Sequence, residues 1–286
     1  MPVSRILMSS STEPSADSKD RRAALYRLLA WLSPSFPVGA FSYSHGLEAT
    51  VAAGTVHDRA TLQSWIAAIV SRGSGRIDAD ILCEAYRAAE AGDRAALVAA
   101  NERGCAFRAT AELALEAGQQ GVAFLNTCLA AWPDAFLEAC ADPDPNPLPV
   151  SGERENAAAG KKPSPCETGR GRGPRRQARE GEGLAGRAIC HSAAFGAAAA
   201  RAGIAIDDAL VGYLQAFAAN LMSAGLRLGL IGQTDGQRIL ATLEPLIAEA
   251  AATAMTRDPA DFGAATFAVD LASMAHETQY SRLFRS

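Results

Sequence analysis

SPSFPVGAFSYSHGLE, Ser33 to Glu48, is the stretch around which the rest of the chain is organised. Pro34, Pro37 and Gly39 fall within it, and alanine-rich helical sequence flanks it on both sides. Each proline lacks an N–H and disfavours the helical conformation in the residue before it, and glycine tolerates positive φ, so a helix arriving here must end. Phe36, Val38, Phe41, Tyr43 and Leu47 are interleaved with Ser35, Ser42, Ser44 and His45 instead of with lysine and glutamate. A loop this apolar is buried under the fold or covered by another protein. Phe36, Phe41 and Leu47 are expected in the core, with Tyr43, His45 and Glu48 facing out.

Working outward, residues 1–20 are rich in serine, aspartate and lysine and are expected to be disordered. A first helix is expected from about Arg21, with Leu25, Leu28, Leu29 and Leu32 as its buried stripe until Pro34 stops it. Ser44 to Ala53 predicts a short helix closed by Gly54. Asp58 is the expected N-cap of a helix carrying Leu62, Trp65, Ile66, Ile69 and Val70, broken by Gly73 and Gly75. Helical pattern continues over 77–91. One to three further helices are expected over 94–132, punctuated by Gly104, Gly118 and Gly121 and ended by Trp132-Pro133. It resumes from Leu184 to Arg201 with Gly203 as the stop, then from an Asp207 cap through Leu210, Leu214, Phe217 and Leu221 to Gly229 and Gly232. Two last helices are expected over 235–251 and 261–274. No stretch alternates with period two long enough to be a strand, so the fold class is all-α, a single-domain helical bundle over residues 21–286.

Residues 142–183 interrupt that pattern. Prolines at 143, 145, 147, 149, 163, 165 and 174, many glycines and mixed charges leave almost no large apolar side chain. Such a segment cannot offset the entropy of ordering its backbone, about 1–2 kcal/mol per residue, and is expected to be a disordered insertion. Its arginines, Arg170, Arg172, Arg175, Arg176 and Arg179, allow a nucleic-acid reading. Interleaved acids and the absence of an aromatic for base stacking favour a solvated linker instead.

Composition narrows the function classes. Of 286 residues, 49% are hydrophobic but only 6% aromatic, which predicts close packing of small-residue helices. A net charge of -4 argues for solubility and against a nucleic-acid binder. The six cysteines form no CxxC pair, which fits a reducing, cytoplasmic home. Ile6, Leu7 and Met8 are too short an apolar run for a signal peptide, and no segment offers about 20 uninterrupted apolar residues for a membrane span.

Chemistry-bearing patterns are sparse. His45, His57, His191 and His276 lie in four separate segments, and no serine sits in a GxSxG elbow, so no catalytic residue is assigned. GLIGQTDGQ fails the P-loop template, because Arg227 stands where the first glycine belongs and Gln233 replaces the lysine. No HxxxH, CxxC or CxH pair exists. Cys190 and His191, adjacent on a helix, are poorly placed to share one ion, so no metal ligand or cofactor is assigned. The chain's last residues read differently: Tyr280, Arg282, Leu283, Phe284 and Arg285 have the aromatic, arginine and apolar composition of interface hot spots.

SPxxPVGxxSYSxGLE at Ser33–Glu48, GQTDGQR at Gly232–Arg238 and HETQYSRLFRS at His276–Ser286 together resemble the urease accessory protein UreF family. The resemblance runs from about Leu25 to Ser286 outside the insertion. It implies an all-α homodimer that is not an enzyme and binds the accessory protein UreD (also called UreH). That pair would recruit the GTPase UreG and load nickel onto apo-urease, so that its carbamylated-lysine bimetal site forms. By position, Pro37, Gly39, Ser42, Tyr43, Gly46, Leu47 and Glu48 would shape a surface or framework used by partners. Gly232, Gln233 and Gln237 would form a second such region. His276, Glu277, Thr278, Gln279, Tyr280, Ser281, Arg282, Leu283, Phe284, Arg285 and Ser286 would order on docking, His276 as a surface group. Leu230 stands where the family often has proline, Ala275 where it often has a basic residue, and residues 107–121 match it poorly. A helical enzyme with a cryptic pocket and an RNA-associated adaptor using the arginine loop are the alternatives from other classes.

Overall fold

The computed structural model describes residues 16–141 and 188–285. The insertion expected over 142–183, its arginines, Cys166, the first 15 residues and Ser286 lie outside the described residues.

The described chain is helical throughout. Helix α1, Ala16–Trp31, begins before the expected Arg21, because Lys19, Arg21, Arg22 and Ala23 are strong helix formers on solvent-facing positions. Its buried face is Ala24, Leu28 and Trp31; Leu25 and Leu29 point to solvent. The expected leucine stripe has the correct period and the wrong rotation. The Trp31 ring fixes that rotation by packing edge-on against Phe124, Trp132 and Phe195, with centroids 5.7, 5.9 and 6.2 Å away.

After the turns of residues 33–39 comes a 3-10 turn, Ala40–Ser42, then α2, Leu47–Ala52. Helix α3, Arg59–Arg72, starts at a capping box between Asp58 and Thr61, and its expected apolar residues Leu62, Trp65, Ile66, Ile69 and Val70 are all buried. Gly73 and Gly75 do not open a loop. Helix α4, Ser74–Glu90, follows at once, and Gly75 sits in its first turn, where a Cβ would come within 2.8 Å of the Val70 backbone.

Helices α5, Arg94–Ala106, and α6, Ala111–Ala131, run through Gly104, Gly118 and Gly121 without a break. Gly121 is a contact point: its Cβ would lie 2.0 Å from the Ile189 carbonyl oxygen. A short α7, Ala135–Ala141, was not expected beyond Pro133; the Asp134 carboxylate caps it through the amides of Phe136 and Leu137, both at 3.0 Å.

Helix α8, His191–Arg201, starts later than the expected Leu184; residues 188–190 are not helical, and Cys190 enters the helix extended. Its alanines and Gly196 let it approach α4 so closely that a Cβ on Gly196 would meet the Leu82 carbonyl oxygen at 2.5 Å. This contact realises the small-residue packing that the composition predicts.

Helix α9, Ile206–Arg227, is preceded by Ala205, so Asp207 and Asp208 lie inside its first turn rather than capping it, where they still favour the helix dipole. Helix α10, Gln233–Thr256, a 3-10 turn, Pro259–Asp261, and α11, Phe267–Glu277, complete the fold. By length and composition α9 and α10 could cross a membrane, but Leu210, Leu214 and Leu221 of the first and Ile239, Leu243 and Ile247 of the second are buried in the core.

Candidate functional site

The Ser33–Glu48 stretch and the last residues meet in space. Gly39 and Gly46 have φ of 75° and 71°, and His45 between them has 52°, so the backbone turns sharply before α2. Gly46 is also constrained by packing: a Cβ there would lie 2.7 Å from the Ser273 nitrogen on α11.

Glu48, in the first turn of α2, then points at the tail. Its carboxylate accepts the amides of Leu283 at 2.7 Å and Phe284 at 3.0 Å and lies 3.2 Å from His276 Nε2. His276 Nδ1 is 2.9 Å from the Glu112 carboxylate on α6, which also accepts Arg282 Nη1 at 2.7 Å. Burial alone pushes the Glu48 carboxyl up, but hydrogen bonds from the Leu283 and Phe284 amides and His276 together hold it below the usual carboxylate range.

A second layer closes over this clamp. The Arg285 amide donates to the Ser42 carbonyl at 2.7 Å. The Tyr43 hydroxyl and Arg285 Nη1 share Gln119 Oε1, at 2.6 and 3.4 Å. Burial first, and then the Glu116 charge, raise the Tyr43 phenol. Arg227 of α9 lies over the Phe284 ring, 4.3 Å from its centroid, and donates to the Phe41 carbonyl.

Beneath the loop is a cavity of about 560 Å³, roofed by residues 33–41 and lined below by α4, α6, α8 and α9. Its charged groups are occupied with one another. Arg108 bonds Asp78 at 2.6 Å, and Tyr213 donates to the other Asp78 oxygen at 3.3 Å. Burial lowers His191 to about 4, so it is neutral near pH 7. His45 Nε2 lies 3.1 Å from Glu116, and its Nδ1 lies 3.2 Å from the Ser74 hydroxyl. This Ser–His–Glu connectivity resembles a charge relay, yet Ser74 does not line the cavity, and the arrangement holds His45 and hence the loop in place. Among the described residues, no group of three or more histidine, cysteine or acidic side chains is placed to hold a metal ion.

The orientation expected for the loop is reversed in part. Leu47 is buried and Phe36 partly so, but Phe41 is exposed, while Tyr43, His45 and Glu48 are buried. The polar side chains turn inward because partners distant in sequence satisfy them: Gln119, Glu116, and His276 with the tail amides. His276 is not at the surface but fully buried, and Phe284 is buried too; Tyr280 and Leu283 stay exposed. Pro37 borders the cavity. Gly232, Gln233 and Gln237 are exposed: Gly232 is the N-cap of α10, which starts at Gln233, two residues before the expected 235.

A model of the UreF family matches residues 56–244. "Urease accessory protein UreF" of Rhodopseudomonas palustris (strain BisA53) is 40% identical over 279 residues, covering 98% of this chain and all of that protein. The chain belongs to the UreF family. The protein of the same name from Granulibacter bethesdensis is 42% identical over 265 residues, covering 92% of this chain and 94% of its own. The family match leaves out both end motifs. In this UreF-family chain, Asp78, Arg108, Glu112 and Glu116 were not singled out from the sequence. Glu112, Glu116 and Gln120 did carry a local signal, since their spacing of four puts three polar groups on one face of a mostly apolar helix.

Proposed function

We propose that this chain is a non-catalytic assembly factor in urease maturation. It acts as a homodimer in the cytoplasm, engages UreD (UreH), and through that pair brings the GTPase UreG and its nickel to apo-urease. The name these relatives carry, urease accessory protein UreF, supports the maturation role. The observation that carries the docking role is the tail. Its backbone is clamped by Glu48, yet it presents Tyr280 and Leu283 to solvent; α11, which leads into it, exposes Phe267, Leu271 and Met274 as an i, i+4, i+7 stripe. Apolar side chains held exposed on a fixed backbone lose little entropy on binding, which is how interface anchors are built. Phe41, whose carbonyl Arg227 binds, and Gln233 and Gln237, just beyond the same end of α9, are exposed and extend the candidate surface. The free thiols at Cys83, Cys105, Cys128, Cys140 and Cys190 fit a reducing compartment.

The test is co-expression with UreD. The double substitution Tyr280→Ala and Leu283→Ala removes exposed side chains only, so the helical circular dichroism and melting temperature should be kept while co-purification with UreD is lost. Full retention of binding by the folded double variant contradicts the docking role.

A further inference from the structure

Two thiols stand apart from the clamp and from the cavity. Cys105 is exposed on the last turn of α5, and Cys190 is fully buried in front of α8. Cys105 Sγ lies 3.8 Å from the carbonyl of Ala188, two residues before Cys190. Glycine at 104 permits the approach, since a Cβ there would lie 2.9 Å from Cys190 Sγ. Asn101 pins both segments: its Oδ1 accepts the Cys190 amide at 2.7 Å and lies 3.8 Å from Cys105 Sγ, and its Nδ2 donates to the Ala188 carbonyl at 3.2 Å. Cys105 itself is raised, by its contact with Cys190 and then by burial, so Cys190 alone is lowered among the described cysteines. Burial pushes the Cys83 thiol up to about 12 and the Cys128 thiol up to about 11, and Cys140 is raised in the same way.

We propose that Cys105 and Cys190 are a redox-responsive dithiol that closes to an intramolecular disulfide on meeting a small soluble disulfide of the glutathione class. At rest the proton sits on Cys105; as it passes to the Cys190 thiolate, the exposed Cys105 sulfur attacks one sulfur of the small disulfide, forming a mixed disulfide and expelling one small thiolate. The expelled thiolate takes the proton from Cys190. The Cys190 thiolate then attacks Cys105 Sγ, the protein disulfide forms, and the second small thiolate leaves. Two protein sulfurs are oxidised and one small disulfide is reduced to two thiols. The neighbouring Cys105 thiol first, and then the Arg108 guanidinium, bring Cys190 down to about 6 against its burial, so the resolving sulfur is ionised near pH 7. The bond would lock the end of α5 to the entry of α8, immediately before His191 at the cavity wall. This inference does not depend on the docking reading.

The test incubates the full chain with oxidised glutathione under native conditions, alkylates the remaining thiols and maps the peptides by mass spectrometry. Titratable thiols should fall from six to four, with one cross-linked peptide joining Cys105 to Cys190 that dithiothreitol releases. The Cys83→Ser variant should still lose two thiols. The Cys105→Ser variant, changed at an exposed position that leaves the core intact, should lose none. An unchanged thiol count, a stable glutathione adduct on Cys105 without the cross-link, or a cross-link to Cys166 would each overturn the proposal.

Discussion

Replacing Glu48 by glutamine changes one atom type at the centre of the tail clamp. The native carboxylate accepts two backbone amides and faces His276, at 2.7, 3.0 and 3.2 Å. Glutamine keeps a single oxygen acceptor and turns an NH2 toward either an amide N–H or His276, so at least one charge-assisted bond is lost and one buried donor is left facing another donor. A hydrogen bond to a charged group contributes about 1.5–3 kcal/mol, and an unsatisfied buried partner costs about 1–3 kcal/mol. Because these terms overlap, the expected loss is about 2–4 kcal/mol, concentrated on the tail. The assay is amide hydrogen exchange resolved at Leu283 and Phe284. Protection there should fall by roughly 30- to 700-fold, at about tenfold per 1.4 kcal/mol. Exchange in α3, which does not touch the clamp, should change little. Unchanged protection at both tail amides in a folded Glu48→Gln chain would refute the reasoning.

Three other outcomes follow from the packing and charge. Gly46→Ala combines a left-handed backbone with a Cβ 2.7 Å from the Ser273 nitrogen; it should cost about 2–4 kcal/mol in urea unfolding and displace α11. Leu28→Ala should cost about 2–4 kcal/mol, whereas Leu29→Ala, one residue along but exposed, should stay within about 0.5 kcal/mol. Acid should loosen the tail with a definite sign. The folded Glu48 pKa lies below the unfolded value of about 4.3, so its stabilisation is complete above that value and is lost as pH falls through the folded pKa. His191, neutral in the fold and down at about 4, acts earlier, since the unfolded chain takes up its proton below about pH 6.5 and overall stability falls from there. Tail proteolysis and urea midpoints measured across pH 3–7 separate the two windows, and the Glu48→Gln chain should lose only the lower one.

Some of this was legible in the sequence, and the division has a physical cause. Leu62 to Val70 could be read because periodicity and a local cap coincide, Asp58 and Thr61 satisfying each other within one turn. Leu25 and Leu29 could not be placed, because a stripe fixes the period of a helix and not its rotation, which the Trp31 ring decides through residues far along the chain. Tyr43, His45 and Glu48 read as outward because they are polar. They point inward because Gln119, Glu116 and His276 lie opposite them, and that is a property of the fold alone. The family resemblance singled out Ser33–Glu48 and His276–Ser286 as separate motifs, and the structure brings them together: the turn at Gly46 presents Glu48 to the backbone of Leu283 and Phe284.

Hydrogen-exchange mass spectrometry on the full chain, alone and with purified UreD, tests the docking claim most directly. Slower exchange on binding should appear over residues 267–285, on α11 and the clamped tail. Binding that protects other helices and leaves residues 267–285 unchanged would contradict the account.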